Sequence, residues 1–212
     1  MYAFDLPGYG RSEGRRGHID RFEDYVKALD TFVHLVTQRH PDHKPFLLGH
    51  SFGGLICTFY AERFPQTIQG LMLSSPLWGL TFPVPRWARW LAFRLTNIWP
   101  SFTVRDRNTP YLVTSDPGKQ EEYRRDPLWH GRASARFFTE MLRVLEVLPQ
   151  LVLHLTVPVL MLLADQDRVI SVKEAQRLFP SIGSPSTKLK IYKGYAHGLF
   201  QDLGREQVVD DV

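Results

Sequence analysis

Gly49-His50-Ser51-Phe52-Gly53 follows the apolar run Phe46-Leu47-Leu48 and precedes Gly54-Leu55-Ile56-Cys57-Thr58-Phe59-Tyr60-Ala61. A serine between glycines thus stands where a strand should turn into a helix, the nucleophile-elbow arrangement that leaves a serine hydroxyl exposed at a sharp turn. Such a turn holds the serine in a strained backbone conformation, at a cost of about 1–3 kcal/mol. On this reading Gly49 and Gly53 remove side chains that would collide with neighbouring backbone. Ser51 Oγ then sits at a helix start, where free N–H groups favour developing negative charge. Five residues alone arise by chance, and the strand and helix on either side give the pattern its weight.

A serine hydroxyl is a poor nucleophile near neutral pH and needs a histidine base oriented by an acid. The run Val157-Pro158-Val159-Leu160-Met161-Leu162-Leu163-Ala164 reads as a buried parallel strand. It ends in Asp165-Gln166-Asp167-Arg168-Val169-Ile170, before a helix opened by Ser171 and Glu174. A further strand, Leu189-Lys190-Ile191-Tyr192, ends in Gly194-Tyr195-Ala196-His197-Gly198. Asp165 and Asp167 both qualify as the acid. Asp167 lies farther along the loop, with easier reach to His197, whereas Asp165 could bond loop backbone instead. Of the eight histidines, His197 alone follows a strand and precedes a terminal helix. His34, His40 and His43 lie along or just after one helix, without the partners a metal site needs. His50, at the variable elbow position, reads as a packing residue. His18, His130 and His154 lie away from strand ends, with His130 a pocket-lining candidate. The order Ser, Asp, His is that of the α/β-hydrolases.

Outward from the elbow, strand and helix alternate. Residues 2–5 read as a strand. Residues 22–40 read as a helix with Phe22, Val26, Leu29, Val33 and Val36 on one face and Asp20 and Glu23 spaced as a capping box. The elbow helix runs to residue 64, and a strand covers 68–74. The alternation stops after Pro76 and resumes at Val157. Continuously apolar strands between helices predict an α/β class, with a mostly parallel, doubly wound sheet covered on both faces. The expected organisation is a core of residues 1–75 carrying the elbow, a helical lid or cap insertion of 76–150, and a second core segment of 151–212 carrying acid and base.

All five tryptophans (Trp78, Trp87, Trp90, Trp99 and Trp129) fall in the insertion, and its basic residues exceed its acids by the chain's whole net charge of +4. Arg86-Trp87-Ala88-Arg89-Trp90-Leu91-Ala92-Phe93-Arg94 puts Trp87, Trp90, Leu91 and Arg94 at helical spacing. Mixed apolar and basic residues suit a transient membrane-surface contact, and equally a cap packed on the sheet. Nucleic-acid binding is disfavoured, because acids interrupt the basic residues and no recognition motif is present. With 212 residues, 43% of them hydrophobic, the chain fits one domain with a substantial core, which excludes disorder. The single cysteine, Cys57, excludes an internal disulfide and reads as a small buried residue. No apolar run approaches the ~20 residues of a membrane span, and no signal peptide opens the chain. The expected location is cytoplasmic, peripheral to a membrane, unless a leader precedes Met1.

Asp5-Leu6-Pro7-Gly8-Tyr9-Gly10-Arg11-Ser12-Glu13-Gly14, the elbow with Gly54, Leu163-Ala164-Asp165-Gln166-Asp167-Arg168-Val169 and Tyr195-Ala196-His197 together resemble the monoacylglycerol lipase and lysophospholipase branch of the α/β-hydrolases, the serine aminopeptidase-like group. Arg125-Asp126-Pro127-Leu128-Trp129-His130-Gly131-Arg132 resembles a lid segment of its bacterial members. The resemblance implies Ser51 as nucleophile, Asp167 as acid, His197 as base and the Phe52 backbone N–H as an oxyanion donor. It further implies hydrolysis of a lipid ester with a hydrophobic acyl chain, a lysophospholipid or monoacylglycerol, with no metal or organic cofactor. Other esters, thioesters or peptides, or a non-catalytic binding role, are the alternatives. The family's loop that supplies a second oxyanion donor has no counterpart here. Met1-Tyr2-Ala3-Phe4 reads as starting inside a strand and residues 205–212 as an interrupted helix, so the expectation is a chain cut at both ends. Loss of one oxyanion donor would cost on the order of a hundred- to a thousand-fold in turnover.

Overall fold

The computed structural model describes residues 1–105 and 109–212. Asp106 and Arg107, counted above in the charge of the insertion, lie outside the described residues. The chain runs α1 (Phe22–Arg39), β1 (Phe46–His50), α2 (Phe52–Arg63) and β2 (Gly70–Ser74). A long excursion follows, of α3 (Arg86–Ile98), β3 (Thr103–Arg105), α4 (Thr109–Val113), α5 (Pro117–Arg125), β4 (Arg132–Ser134) and α6 (Ala135–Leu151). The chain returns through β5 (Val159–Ala164), α7 (Val172–Leu178), β6 (Thr187–Tyr192) and α8 (Arg205–Asp210).

Four strands form a parallel sheet in the order β1-β2-β5-β6, and β3 and β4 make a separate antiparallel pair. Side chains alternate across the sheet. Leu47, Leu71, Leu73, Val159, Met161 and Leu163 face the main core with Phe22, Tyr25, Leu29, Leu55 and Ile56 of α1 and α2. Each such aliphatic side chain contributes roughly 1.5–3 kcal/mol when fully buried. On the other face Leu162, Ala164 and Tyr192 join Leu199 and Val208 in a smaller core beneath α8.

Three expectations need correction. First, the sheet is not covered throughout: the register aligns Leu48, Met72, Leu160 and Lys188 across it. At the β1 end Phe46 and Leu48 are 58% and 45% exposed among the described residues. Second, residues 2–5 form no strand, since a strand requires a hydrogen-bonded neighbour and, among the described residues, β1 pairs only with β2. The segment instead attaches to α1 through side chains, Phe4 stacking on Phe32 at 4.5 Å and Tyr2 Oη bonding His40 Nε2 at 2.8 Å. Third, α1 starts one residue later than a capping box at Asp20 and Glu23 requires. Its N-cap is Arg21, which supplies no side-chain bond. The first helical N–H, of Phe22, donates at 3.1 Å to Glu140 Oε2 on α6.

Candidate active site

Ser51 joins β1 to α2 at φ 52°, ψ −120°, outside the regions that L-residues favour. The strain is held by a tight bond set: Ser51 N–H donates to Ser74 O at 3.0 Å, and Ser51 O accepts from Leu55 N–H at 3.2 Å and Leu77 N–H at 2.9 Å. A Cβ on Gly49 would lie 2.7 Å from Gly53 O and from Gly54 Cα, so this position must be glycine. Gly53 departs from the expected role, because a Cβ there meets nothing within 4 Å. The second close approach belongs to Gly54, whose Cβ would sit 2.9 Å from Pro76 Cβ. The crowding arises where α2 passes the segment leaving β2, and a local pattern does not reveal that crossing.

Phe52 opens α2, so its N–H has no carbonyl partner in its own helix. Its ring lies 6.1, 5.2 and 4.9 Å from those of Phe22, Tyr25 and Phe137. Through Phe137, α6 of the excursion thus reaches the residue beside the serine. The segment after β2 runs from the elbow to the loop after β5: Trp78 Nε1 donates to Thr58 Oγ1 on α2 at 3.1 Å, and Leu80 bridges to Ile170.

That loop separates the two candidate acids. Asp165 Oδ1 accepts the Gly194 N–H at 2.6 Å and serves the neighbouring loop. Asp167 Oδ1 accepts the N–H groups of Val169 and Ile170 at 2.8 and 3.0 Å, which leaves Oδ2 to His197 Nδ1 at 2.7 Å. Both side chains are withdrawn from water, His197 at 3% exposure and Asp167 at 0%. An ionised carboxylate only accepts, so Nδ1 carries the imidazole proton and Nε2 keeps its lone pair.

Among the described residues Ser51 Oγ makes no hydrogen bond. The elbow and the imidazole meet through His50, whose ring centroid is 4.7 Å from that of His197. His50 Nδ1 lies 3.1 Å from Ser74 O and 3.2 Å from Ser74 Oγ. Burial, and then the charge that His197 would carry, push the His50 pKa down to about 3. His197 therefore has a neutral imidazole as neighbour. The reading of His50 as plain packing missed this. Its register opposite Ser74 at the ends of two strands was the available signal.

Other histidines make structural contacts, His34 within α1 itself. His18 Nδ1 bonds Ser134 Oγ at 2.8 Å, and His34 Nδ1 bonds Asp30 O at 2.9 Å. His130, a pocket-lining candidate in the sequence, packs against Tyr9, its Nε2 3.2 Å from Gly8 O. Among the described residues no three His, Cys, Asp or Glu side chains group as metal ligands. Burial pushes the Cys57 thiol up to about 12, which keeps it protonated and unreactive.

An imidazole bonded to a carboxylate at one nitrogen, with the other unbonded among the described residues, and packed on the His50 ring of an elbow that carries a strained serine, has the components for proton transfer during acyl transfer. The serine aminopeptidase S33 family model matches residues 1–204. A monoacylglycerol lipase of Mycolicibacterium smegmatis is 30% identical over all of this chain and 76% of its own length. The phospholipase YtpA of Bacillus subtilis is 30% identical over 96% of this chain and 79% of its own. The crystal structure of Paleococcus ferrophilus monoacylglycerol lipase superposes with a TM-score of 0.88 at 30% identity, covering 99% of this chain and 79% of that one. The chain therefore belongs to the serine aminopeptidase S33 family of the α/β-hydrolase fold and is a carboxylic ester hydrolase.

Proposed function

We propose that the protein hydrolyses esters of hydrophobic acyl chains, of the monoacylglycerol or lysophospholipid class, with Ser51 as nucleophile, His197 as base and Asp167 as the acid that orients it. The observation that carries this reading is the buried 2.7 Å bond from His197 to Asp167 beside the Ser51 elbow. Ser51 Oγ attacks the ester carbonyl as its proton passes to His197 Nε2. The oxyanion forms near the Phe52 N–H at the α2 terminus, and collapse expels the alcohol with the proton from His197. Water, deprotonated in turn by His197, cleaves the acyl-enzyme and releases the carboxylic acid and free Ser51.

Residues 76–150 act as a lid in this reading, and they support a lipid substrate. α3 turns Ala88, Ala92, Leu95 and Thr96 inward and keeps its tryptophans outside, with Trp87 70%, Trp90 60% and Ile98 83% exposed. Arg86 and Arg94 share that outer face, and the Arg94 guanidinium lies 5.2 Å from the Trp90 ring centre. Exposed aromatics interleaved with arginines suit the interface of an anionic lipid surface. No helix among the described residues is long and apolar enough to cross a membrane.

A fluorophosphonate probe tests the nucleophile: covalent labelling is expected in the wild type and absent in Ser51→Ala. A series of ester substrates of increasing chain length tests the acyl preference, with kcat/KM rising from acetyl to long-chain esters. Strict preference for acetyl esters refutes the lipid assignment.

A further inference from the structure

We infer that Asp202 is a positioning residue that locks the excursion between β2 and β5 onto the loop carrying His197, so that the base is aligned while Thr114 and Ser115 are docked. The inference rests on His197 being the base. Acidic side chains are almost never fully buried unless paired. Asp202 is 1% exposed, and its hydrogen-bond partners are neutral donors from three separate places. Oδ1 accepts Ser115 N–H at 2.8 Å, Ser115 Oγ–H at 2.5 Å and Leu203 N–H at 3.0 Å. The Thr114 hydroxyl is shared between Oδ1 at 3.2 Å and Gln201 O at 2.9 Å. Oδ2 accepts the N–H of Ala196, the residue before His197, at 2.5 Å.

The residue after His197 is held from the same side. Gly198 N–H donates to Val113 O at 2.6 Å, and a Cβ at 198 would lie 2.9 Å from Val113 Cγ1. The residues on either side of His197 are thus held, Ala196 through its N–H by Asp202 and Gly198 directly by the excursion. Gln120 Nε2 reinforces the contact by donating to Thr114 O at 2.7 Å, and Tyr123 bonds Gln201. Burial raises the Asp202 pKa, but the hydrogen bonds from Ser115, Ala196 and Leu203 outweigh it, so the carboxyl titrates below its usual range. Misplacing a catalytic group by about 1 Å can cost on the order of 100-fold in rate, so a lock of this kind on the base has kinetic consequences.

Asp202→Asn keeps the volume and the Oδ1 acceptor but sets an amide N–H₂ against the Ala196 N–H. The full chain is expected to lose on the order of 10- to 100-fold in fluorophosphonate labelling rate and in kcat, with KM for a long-chain ester changed less than about threefold. The far-downfield NMR resonance of the His197 Nδ1 proton shared with Asp167 should broaden or shift at the same time. The double variant Thr114→Val, Ser115→Ala keeps the carboxylate, touches only the excursion, and should alter the same resonance. It carries the test where Asp202→Asn does not fold. A resonance at the wild-type position, with labelling within about twofold of wild type, in either folded variant overturns the lock. Wild-type protein that does not label at all refutes the hydrolase chemistry instead, and the resonance still reports on the lock in that case.

Discussion

Glu140 offers a direct test of how the excursion holds the core together. Its carboxylate is 3% exposed and accepts the Phe22 N–H at 3.1 Å, supplying the cap that Arg21 lacks. In Glu140→Ala, Phe22, itself 2% exposed, keeps a buried donor with no acceptor. An unsatisfied buried group costs about 1–3 kcal/mol, and loss of an N-cap typically about 0.5–2 kcal/mol. These describe the same bond and do not add. The partner cation Arg143 is 62% exposed, so it returns to water and adds little. The expected loss is therefore about 1–3 kcal/mol, or roughly 2–12 °C in Tm for a domain of this size. Glu140→Gln retains an acceptor for the Phe22 N–H and should lose clearly less than Glu140→Ala. Urea denaturation followed by circular dichroism measures both. If Glu140→Ala is within about 0.5 kcal/mol of wild type, or if Gln is as damaging as Ala, the cap does not hold α1 as argued.

Gly49→Ala should abolish labelling of Ser51 and lower Tm, because its Cβ would meet backbone at 2.7 Å, whereas Gly53→Ala should fold and label normally, since its Cβ enters open space. Equal damage at both positions would contradict the glycine assignment. Stability should fall as pH drops from about 6.5 towards 3, because the unfolded chain protonates His50 near 6.5 whereas the folded chain resists protonation down to about 3. His50→Gln should remove that part of the acid limb, at most about 1.4 kcal/mol per pH unit, as read from unfolding titrations in buffers between pH 7 and 4. Trp87→Ser with Trp90→Ser should weaken sedimentation with anionic vesicles at least several-fold while leaving Tm and the hydrolysis of a short soluble ester near wild type. Unchanged vesicle binding would remove α3 as the lipid-facing element.

Much of the core was legible because its signals are local. Apolar runs closed by chemistry-bearing loops marked β1, β5 and β6, and the period of Phe22, Val26, Leu29 and Val33 marked α1. The Ser51, Asp and His197 pattern emerged because each residue follows a strand, and parallel strands bring their C-terminal ends to one edge. Reach along the loop distinguishes Asp165 from Asp167 only weakly. The hydrogen-bond partners separate them, one serving Gly194 and the other His197.

What failed depended on partners distant in the chain. Residues 2–5 have strand composition, but a ladder needs a neighbour, and composition does not say whether one is adjacent. The capping box was judged from spacing alone, while the acceptor came from Glu140, 118 positions away. Gly53 and Gly54 look alike in sequence, and the approach of Pro76 and of the Gly49 carbonyl to Gly54 distinguishes them.

The sequence by itself determined the strand-and-helix alternation, the serine elbow and the candidates for acid and base, because these depend on periodicity and on turns of a few residues. Only the tertiary structure decided which carboxylate faces His197, that His50 lies against it, that Glu140 closes α1, and that Asp202 joins Ser115 to Ala196. Those four are contacts between segments whose proximity depends on packing of the whole chain, and a polar side chain carries no local mark of the partner it will meet.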